Sequence, residues 1–570
     1  MRKSLSKKDK GTTGQGDKEN PQLSPLGQRQ QSFAFLPLTV ALASGSLMGI
    51  TVAPVGAWFL AWIALAPLWV LVVGSTKQEK HFLPLLPLAS RLAHRAASLT
   101  PLLWGIGYHG VAVSWIVGIH PMTWMGVPWL ASLVIALFCW VFLTLWGAAL
   151  VAAWAVGMSI FGRSVGVFAR VLIGVALWCS LESLWSAGAL WWTSISYTQS
   201  PHNLAILHLG QLSGPFTVTA ALVAVNGLIA EAWIQGLGIR EQGAKSKSSG
   251  FWLLASGCGL LVGLHIIGFG LYSRPLIQPP ETALKVGIIQ GNVTNEIKLY
   301  PEGFRRAIEG YTRGYRSLAS SGVDAVLTPE GALPFLQSDL MRSSFVSAVK
   351  EEGVVAWIGA FGEQDSVEGT NLRSYTNSLF TLTGTGEIFS RYNKVKLVPL
   401  GEYIPFEQFL GSLINRLSPL EAHQVAGSPN QVFDTPFGRA IASICYESAF
   451  AAHLRRQTAS GGQFILSAAN NAHYSAAMPA QHHAQDVMRA IESDRWAVRA
   501  TNTGYSGIVD PHGRTDWLSR LNTYELHAAT IYRRQTQTLY VRWGDWLTPM
   551  LLILAALAWW FNATSRRSPS

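Results

Sequence analysis

Charge is what this chain has least of. Asp, Glu, Lys and Arg make up 13% of its 570 residues, against about 25% in an ordinary soluble protein. Hydrophobic residues reach 49%, so much of the sequence lies in a solvent other than water. Cysteine is scarce as well. Of the four, Cys139, Cys179 and Cys258 fall in apolar runs, where a small thiol packs like any hydrophobe, and only Cys445 lies in the large polar region. That region cannot staple itself with a disulfide, and its single thiol is either buried filler or a nucleophile. A Gly-rich phosphate loop is missing, and so is any repeat of about 20–50 residues, which sets aside P-loop chemistry and repeat architectures. The net charge of +11 does not indicate nucleic acid, because the basic residues collect in short stretches between apolar runs. They read as an orientation signal, with anionic lipid headgroups a second possible partner.

What is there in abundance is apolar sequence of membrane-spanning length, about 20 residues a run. Candidate spans are 33–51, 56–74, 100–119, 129–157, 165–187, 207–234, 251–273 and 546–562. The 23 Trp fit such a chain, since indoles favour membrane interfaces. Connecting segments alternate. Lys77, Lys80, Arg91 and Arg95, then Arg163 and Arg170, then Arg240, Lys245 and Lys247, and finally Arg566 and Arg567 mark one side. The intervening loops (ITVAPVGA, IHPMTWMGVP and GALWWTSISYTQSPHN) contain no Lys or Arg. The positive-inside rule then places the N-terminus in the cytoplasm, residues 275–545 outside, and the C-terminus back inside. Residues 1–32, polar and basic, read as a disordered cytoplasmic tail. The expected order is tail 1–32, a seven-span membrane domain 33–274, an outer domain 283–540, an eighth span 546–562 and a short tail 563–570.

The outer region changes character. Short apolar runs (KVGIIQ, DAVLTP, VVAWIGAF, AIASIC, FILSAA) read as buried strands. Phe304, Ile308, Tyr311, Tyr315 and Leu318 recur at helical spacing, and SLFTLTGTGEIFSRY reads as a hairpin. Strands alternating with helices indicate an α/β or mixed α/β sandwich. Metal-ligand spacing is weak, with Gln481-His482-His483 on a helix the nearest candidate, and no metal or cofactor is expected.

Three stretches carry the chemistry. In DAVLTPEGALPF a strand ends and Glu330 follows; in RYNKVKLVPLGEYIPF Lys394 follows a strand, with Glu402 eight residues on; in AIASICYESAF Cys445 ends a strand and starts a helix. A thiol at a strand-to-helix turn sits near backbone N–H groups and the positive end of a helix dipole, which favour thiolate. A carboxylate can take the thiol proton and return it to a leaving group, and an ammonium can stabilise the oxyanion of an attacked acyl carbonyl. Each residue singly has a bland reading: a structural Cys, a solvated loop carboxylate, a surface lysine. Their order along the chain, each at a strand end, tells against coincidence.

The order Glu, Lys, Cys resembles the nitrilase superfamily, whose members carry such a triad on an αββα sandwich. With eight spans added, the chain is similar to the apolipoprotein N-acyltransferases over roughly residues 40–520. The stretches that carry this likeness are APVGAWFLAWIALAPLW, GYHGVAVSWI, LWCSLESLW, SISYTQS, VGIIQGN, TPE, TNS, YNKVKLVPLGEYIPF, ICYES and RATNTG. The resemblance implies Glu330 as general base, Lys394 (in preference to Lys396) as oxyanion stabiliser and Cys445 as nucleophile. Glu402 and Glu447 would orient the lysine and the thiol region, and Asn377 and Tyr446 would line the pocket. It further implies a ping-pong reaction, in which a phospholipid donates an acyl chain to Cys445 and the diacylglyceryl-modified N-terminal cysteine of an apolipoprotein takes it. This chain departs from the family pattern at Asn471, His473 and Tyr474, at Leu299 after Lys298, and at Trp185 after Glu182. Glu182, though intramembrane, is read as a structural hydrogen-bonding group. Trp124, Trp129, Trp191 and Trp192 read as an interfacial belt. Two other functions remain compatible with the residues: a membrane-tethered amidase for a small substrate, and a transporter or receptor whose outer domain only binds.

Overall fold

Where side chains are apolar on every side, the backbone must satisfy its own polar groups, and a helix does so within one segment. The computed structural model describes residues 25–78, 87–236, 245–364, 374–399, 401–403 and 423–565. The first half folds into helices α1 (Pro25–Gly49), α2 (Ala66–Gln78), α3 (Pro87–Ala112), α4 (Trp129–Phe161), α5 (Val167–Ala187), α6 (Pro215–Gly236) and α7 (Lys245–Tyr272). Each of the first seven expected spans overlaps one of these. Among the described residues, five helices are long and apolar enough to cross a membrane: Trp129–Phe161, Val167–Ala187, Pro215–Gly236, Ser249–Tyr272 and Leu547–Ser565.

The first three expected spans are less regular. Leu36–Gly49 and Trp58–Gly74 are shorter apolar segments, and α3 spends its first half on Arg91, His94 and Arg95. Helix α1 is already helical at Pro25, inside the stretch expected as tail. Residues 1–24 and 566–570 of the expected tails lie outside the described residues. The second span opens with a 3-10 turn, Trp58–Trp62, before α2. The backbone groups this break frees are met by one side chain: Asn226 of α6 accepts from the N–H groups of Leu65 and Ala66, each at 3.0 Å, and donates to Ala61 O at 2.9 Å. The sixth span likewise starts late. Gly214, at φ +75°, stops one short helix, and Pro215 begins α6. Helices α1 and α3 pack through small residues; a Cβ on Gly45 would fall 2.1 Å from Trp104 O.

Beyond α7 the chain builds two sheets. The first contains β1 (Ala283–Gln290), β2 (Ala325–Leu327), β3 (Val355–Gln364), β4 (Ser374–Leu382), β5 (Ile388–Asn393), β6 (His423–Gln424) and, at its far edge, the strand Glu525–Tyr532. The second contains β7 (Phe433–Thr435), β8 (Gly438–Ile444), β9 (Ile465–Ala469), β10 (Ala497–Thr501), β11 (Gly507–Val509) and β12 (Thr515–Leu518). Each has a parallel centre, β1-β2-β3 in one and β8-β9-β10 in the other, flanked by antiparallel strands. The two inner faces meet in a core of Val286, Ile288, Leu327, Trp357 and Leu379 against Ala442, Ile444, Leu466, Val498 and Ala500. Helices α8 (Pro301–Ser320) and α9 (Ser344–Glu352) cover the first sheet through Tyr311, Tyr315, Phe345 and Val349. Helices α10 (Ala451–Ala459) and α11 (Ala477–Ser493) cover the second through Leu454, Val487, Met488 and Ile491. The layers are αββα, as the resemblance implies.

Helix α11 has a second neighbour. Tyr197 and Leu207, from the chain between α5 and α6, join its apolar cluster. It is therefore held between the second sheet and the membrane helices, which is why Gln481, His482, Gln485, Asp486, Arg489 and Glu492 are all buried despite their polarity.

Candidate active site

The parallel strands β2 and β8, together with β5, deliver the three chemical groups. Glu330 follows β2 after Thr328 and Pro329, Lys394 follows β5, and Cys445 follows β8. All three are buried at one end of the inter-sheet core. Lys394 Nζ donates to Glu330 Oε1 at 2.9 Å and to Glu402 Oε1 at 2.8 Å. Asn377 Nδ2 donates to the same two oxygens, at 2.7 and 3.3 Å. One ammonium and one amide thus join two carboxylates. The rival Lys396 turns away, its ammonium 4.8 Å from the centroid of the Phe450 ring.

The Glu330 loop is close to its neighbour strand. A Cβ on Gly359 of β3 would lie 2.1 Å from Pro329 O, and the Gly359 N–H donates to Thr328 Oγ1 at 3.1 Å. Glu447 braces the other two groups: it accepts from Val395 N at 2.6 Å and Lys396 N at 3.1 Å after the lysine, from Ile444 N at 2.8 Å before the thiol, and from Tyr392 OH at 3.0 Å. Burial nevertheless pushes its carboxyl up to about 7. The four groups expected around the triad do not play one part. Glu402 and Asn377 touch the ion pair, Glu447 is a backbone brace, and Tyr446 stacks on Trp192 at 6.0 Å and 6° while its hydroxyl donates to Ala189 O.

The turn at Cys445 differs from the expected helix start. Cys445–Ala449 is a 3-10 turn, with Cys445 itself at φ +52°, a left-handed conformation costly for a residue with a Cβ. The thiol is not held as thiolate either. Burial, reinforced by the negative charge of Glu330 and only partly opposed by Lys394, pushes it up to about 12. A five-residue turn in a desolvated core does not supply the dipole that a full helix would, so desolvation wins. Glu330 goes the other way. Burial works to raise it, but Lys394, Lys298 and the Asn377 amide hold its carboxyl below the usual range. Lys394 is held well above the ordinary lysine value by the two carboxylates, against the effect of burial. The resting set is therefore a thiol, a carboxylate and an ammonium.

Two further residues enter the site without having been singled out for it. Lys298 donates to the backbone oxygen of Glu330 at 3.3 Å, and burial lowers its ammonium to about 8 against the pull of Glu330 and Cys445. His482 places Nε2 2.7 Å from Cys445 O, the carbonyl of the left-handed residue, with Nδ1 3.2 Å from Asn471 Nδ2. Since a carbonyl only accepts, Nε2 carries the proton. A lysine at the end of a one-turn helix and a histidine on a polar-looking helix give no periodic signal; only the longer helix's position between two layers exposes the histidine's role. Gln481, His482 and His483 do not converge: they bond to two indoles, to Cys445 O and to Thr515 Oγ1 respectively. Among the described residues no group of three or more His, Cys, Asp or Glu could hold a metal ion.

The departures from the family pattern other than the exposed Leu299 find local partners. His473 stacks on Trp124 and meets Asn295 Nδ2 at 2.6 Å, Tyr474 packs edge-on against Trp115, and Trp185 donates to Trp146 O at 3.1 Å. Glu182 accepts from Ile195 N at 2.8 Å and Thr219 Oγ1 at 2.6 Å, tying the loop after α5 to α6.

Comparison with known proteins bears on the whole chain. Residues 44–228 match the family described as the apolipoprotein N-acyltransferase N-terminal domain, and residues 286–538 match carbon-nitrogen hydrolase. A protein of Nostoc sp. (strain PCC 7120), an apolipoprotein N-acyltransferase, is 62% identical over 90% of this chain and 97% of its own length. The apolipoprotein N-acyltransferase of Synechocystis sp. (strain PCC 6803) is 47% identical over 90% of this chain and 98% of its own. Among solved structures, an amidase from Nesterenkonia sp. aligns with 47% of this chain and 95% of its own at 17% identity and a TM-score of 0.33.

Proposed function

Because the chain belongs to the apolipoprotein N-acyltransferase family, we propose that its membrane-embedded acyltransferase activity runs through a thioester on Cys445, with a phospholipid as donor and the diacylglyceryl-cysteine N-terminus of an apolipoprotein as acceptor. The observation that carries this reading is the junction of Lys394 Nζ with Glu330 and Glu402 at 2.9 and 2.8 Å beside the one thiol of the polar domain.

In the first half-reaction Glu330, ionised at neutral pH, accepts the Cys445 proton as sulfur attacks the ester carbonyl. A thiol pushed up to about 12 reacts only with such a base, so proton removal and attack are coupled. Lys394 faces the oxyanion, its charge kept by two carboxylates, and collapse expels the lysophospholipid alkoxide, which takes the proton from Glu330. In the second half the α-amino nitrogen attacks the thioester, Glu330 accepts its proton, and the sulfur leaves and is reprotonated. Glu402 and Asn377 hold the lysine and the base in register, and Glu447 fixes the backbone on both sides. The thioester conserves the acyl-transfer potential, so this chemistry needs no nucleotide.

The placement proposed is a multi-pass protein of the bacterial cytoplasmic membrane, with both termini cytoplasmic and the αββα domain outside. The Lys and Arg of the connecting segments support it. Both lipid substrates would then lie in the leaflet that the catalytic domain faces. Intact-mass analysis after incubation with phospholipid tests the chemistry. Wild type should gain one fatty-acyl mass that hydroxylamine removes, and Cys445→Ser should not; a wild-type protein that stays unmodified, or an adduct that persists in Cys445→Ala, would overturn it.

A further inference from the structure

Between the thiol and the membrane helices stands an aromatic wall made by three separate pieces of chain. Trp115 lies in the turn after α3, Trp192 in the loop after α5, and Tyr446 directly follows Cys445. Trp192 stacks on Tyr446; Trp115 meets Trp192 at 5.3 Å and Tyr474 at 5.0 Å. Met478 closes the same apolar cluster. The two indoles belong to loops with no ladder between them, and an indole has one polar atom, a donor. Both spend it on the same oxygen. Gln481 Oε1 accepts from Trp192 Nε1 at 2.7 Å and from Trp115 Nε1 at 3.1 Å, while its Nε2 donates to Ala112 O at 2.9 Å, at the end of α3. Two donors on one side and a carbonyl on the other leave a single way for this amide to face. The next residue, His482, grips Cys445 O. One turn of α11 therefore fixes both the wall and the nucleophile.

We propose that Gln481 is a positioning residue that sets the enzyme's preference for long acyl chains, by holding Trp115 and Trp192 as one surface continuous with Tyr446 along which a chain bonded to Cys445 extends. The proposal rests on acyl transfer at Cys445. A short chain reaches only the part of the wall beside the thiol, where Tyr446 has its own anchor at Ala189 O; a long chain also covers the two indoles. Without the amide, each buried indole N–H loses its partner and the rings are free to turn.

The experiment uses the full-length protein in detergent micelles with dihexanoyl and dipalmitoyl phosphatidylethanolamine as donors. In Gln481→Leu, which keeps the volume and removes all three bonds, kcat/KM for acyl-enzyme formation with the dipalmitoyl donor should fall roughly tenfold. The dihexanoyl rate and alkylation of Cys445 by iodoacetamide should hardly move. Gln481→Glu, which when neutral can reproduce every bond, should restore the preference. The inference is overturned if both donors decline in proportion with a lowered Tm, as a loss of general stability would produce, or if the ratio does not change. A wild type that forms no thioester with either donor defeats the acyl-transfer reading itself, a result distinct from these.

Discussion

Remove the ammonium of Lys394, and the buried Glu330 and half-buried Glu402 are left as two carboxylates around one amide, Asn377, with no cation between them. The consequence has a sign. With Lys394 present, the Glu330 carboxyl is depressed, so its ionised form stabilises the fold above the ordinary carboxylate range, and this is lost as pH falls through the depressed value. In Lys394→Met, burial is opposed only by Lys298 and the Asn377 amide, and the carboxyl rises. The acidic limb of the acylation rate should therefore move to higher pH, and the plateau should drop by about 10²–10³ with the oxyanion donor gone. A pH–rate profile of thioester formation reads both; an unmoved limb would mean that Lys394 does not govern Glu330. At this scale much was legible. Glu330 and Cys445 each follow an apolar run and Lys394 follows the second strand of a hairpin, and strand ends are where side chains meet. Lys298 and His482 were not legible, because the contacts that matter are to backbone oxygens, Glu330 O and Cys445 O, which no side-chain pattern reports.

Among the elements, β3 shows how a strand places the Glu330 loop without contributing a polar side chain to it. Gly359 admits Pro329 O where any Cβ would collide with backbone. Gly359→Ala should push the Glu330 loop off the strand, costing about 1–3 kcal/mol as an overpacked core and lowering kcat well beyond what the loss of Tm would explain. Tm and single-turnover acylation, measured on the same sample, separate the two effects; unchanged kcat would show the loop free to relax. Strands β1, β2, β3, β8 and β9 and the β4-β5 hairpin were readable from short apolar runs and turn residues, and α8 from the three- and four-residue spacing that ends in Tyr311, Tyr315 and Leu318. The broken second span and the late start of α6 were not, since both depend on partners: Asn226 supplies the bonds for one break, and the left-handed Gly214 makes the other.

In the whole molecule, the catalytic layers and the membrane helices share α11, and the loops that reach it are held from below. Glu182 of α5 anchors the loop that carries Trp192 by accepting from Ile195 N and from Thr219 of α6. Glu182→Leu strands both donors in a buried place, at about 1–3 kcal/mol each, whereas Glu182→Gln keeps one acceptor. Thermal unfolding in detergent should rank wild type above Gln and Gln above Leu, and acylation by long-chain donors should decline in the same order. Equal melting of the two variants would contradict an anchoring role.

Sequence by itself determined the division into an apolar helical part and an outer α/β part, the family, and the three residues that stand at strand ends, because hydrophobic periodicity and long local motifs are properties of neighbouring residues. Tertiary structure alone decided that Cys445 rests as a thiol in a left-handed turn, and that Gln481 and His482 bind an aromatic wall and the Cys445 carbonyl. Those outcomes depend on desolvation and on atoms tens to hundreds of positions apart in the chain, and the free energy of a buried polar group is set by what surrounds it, not by what precedes it.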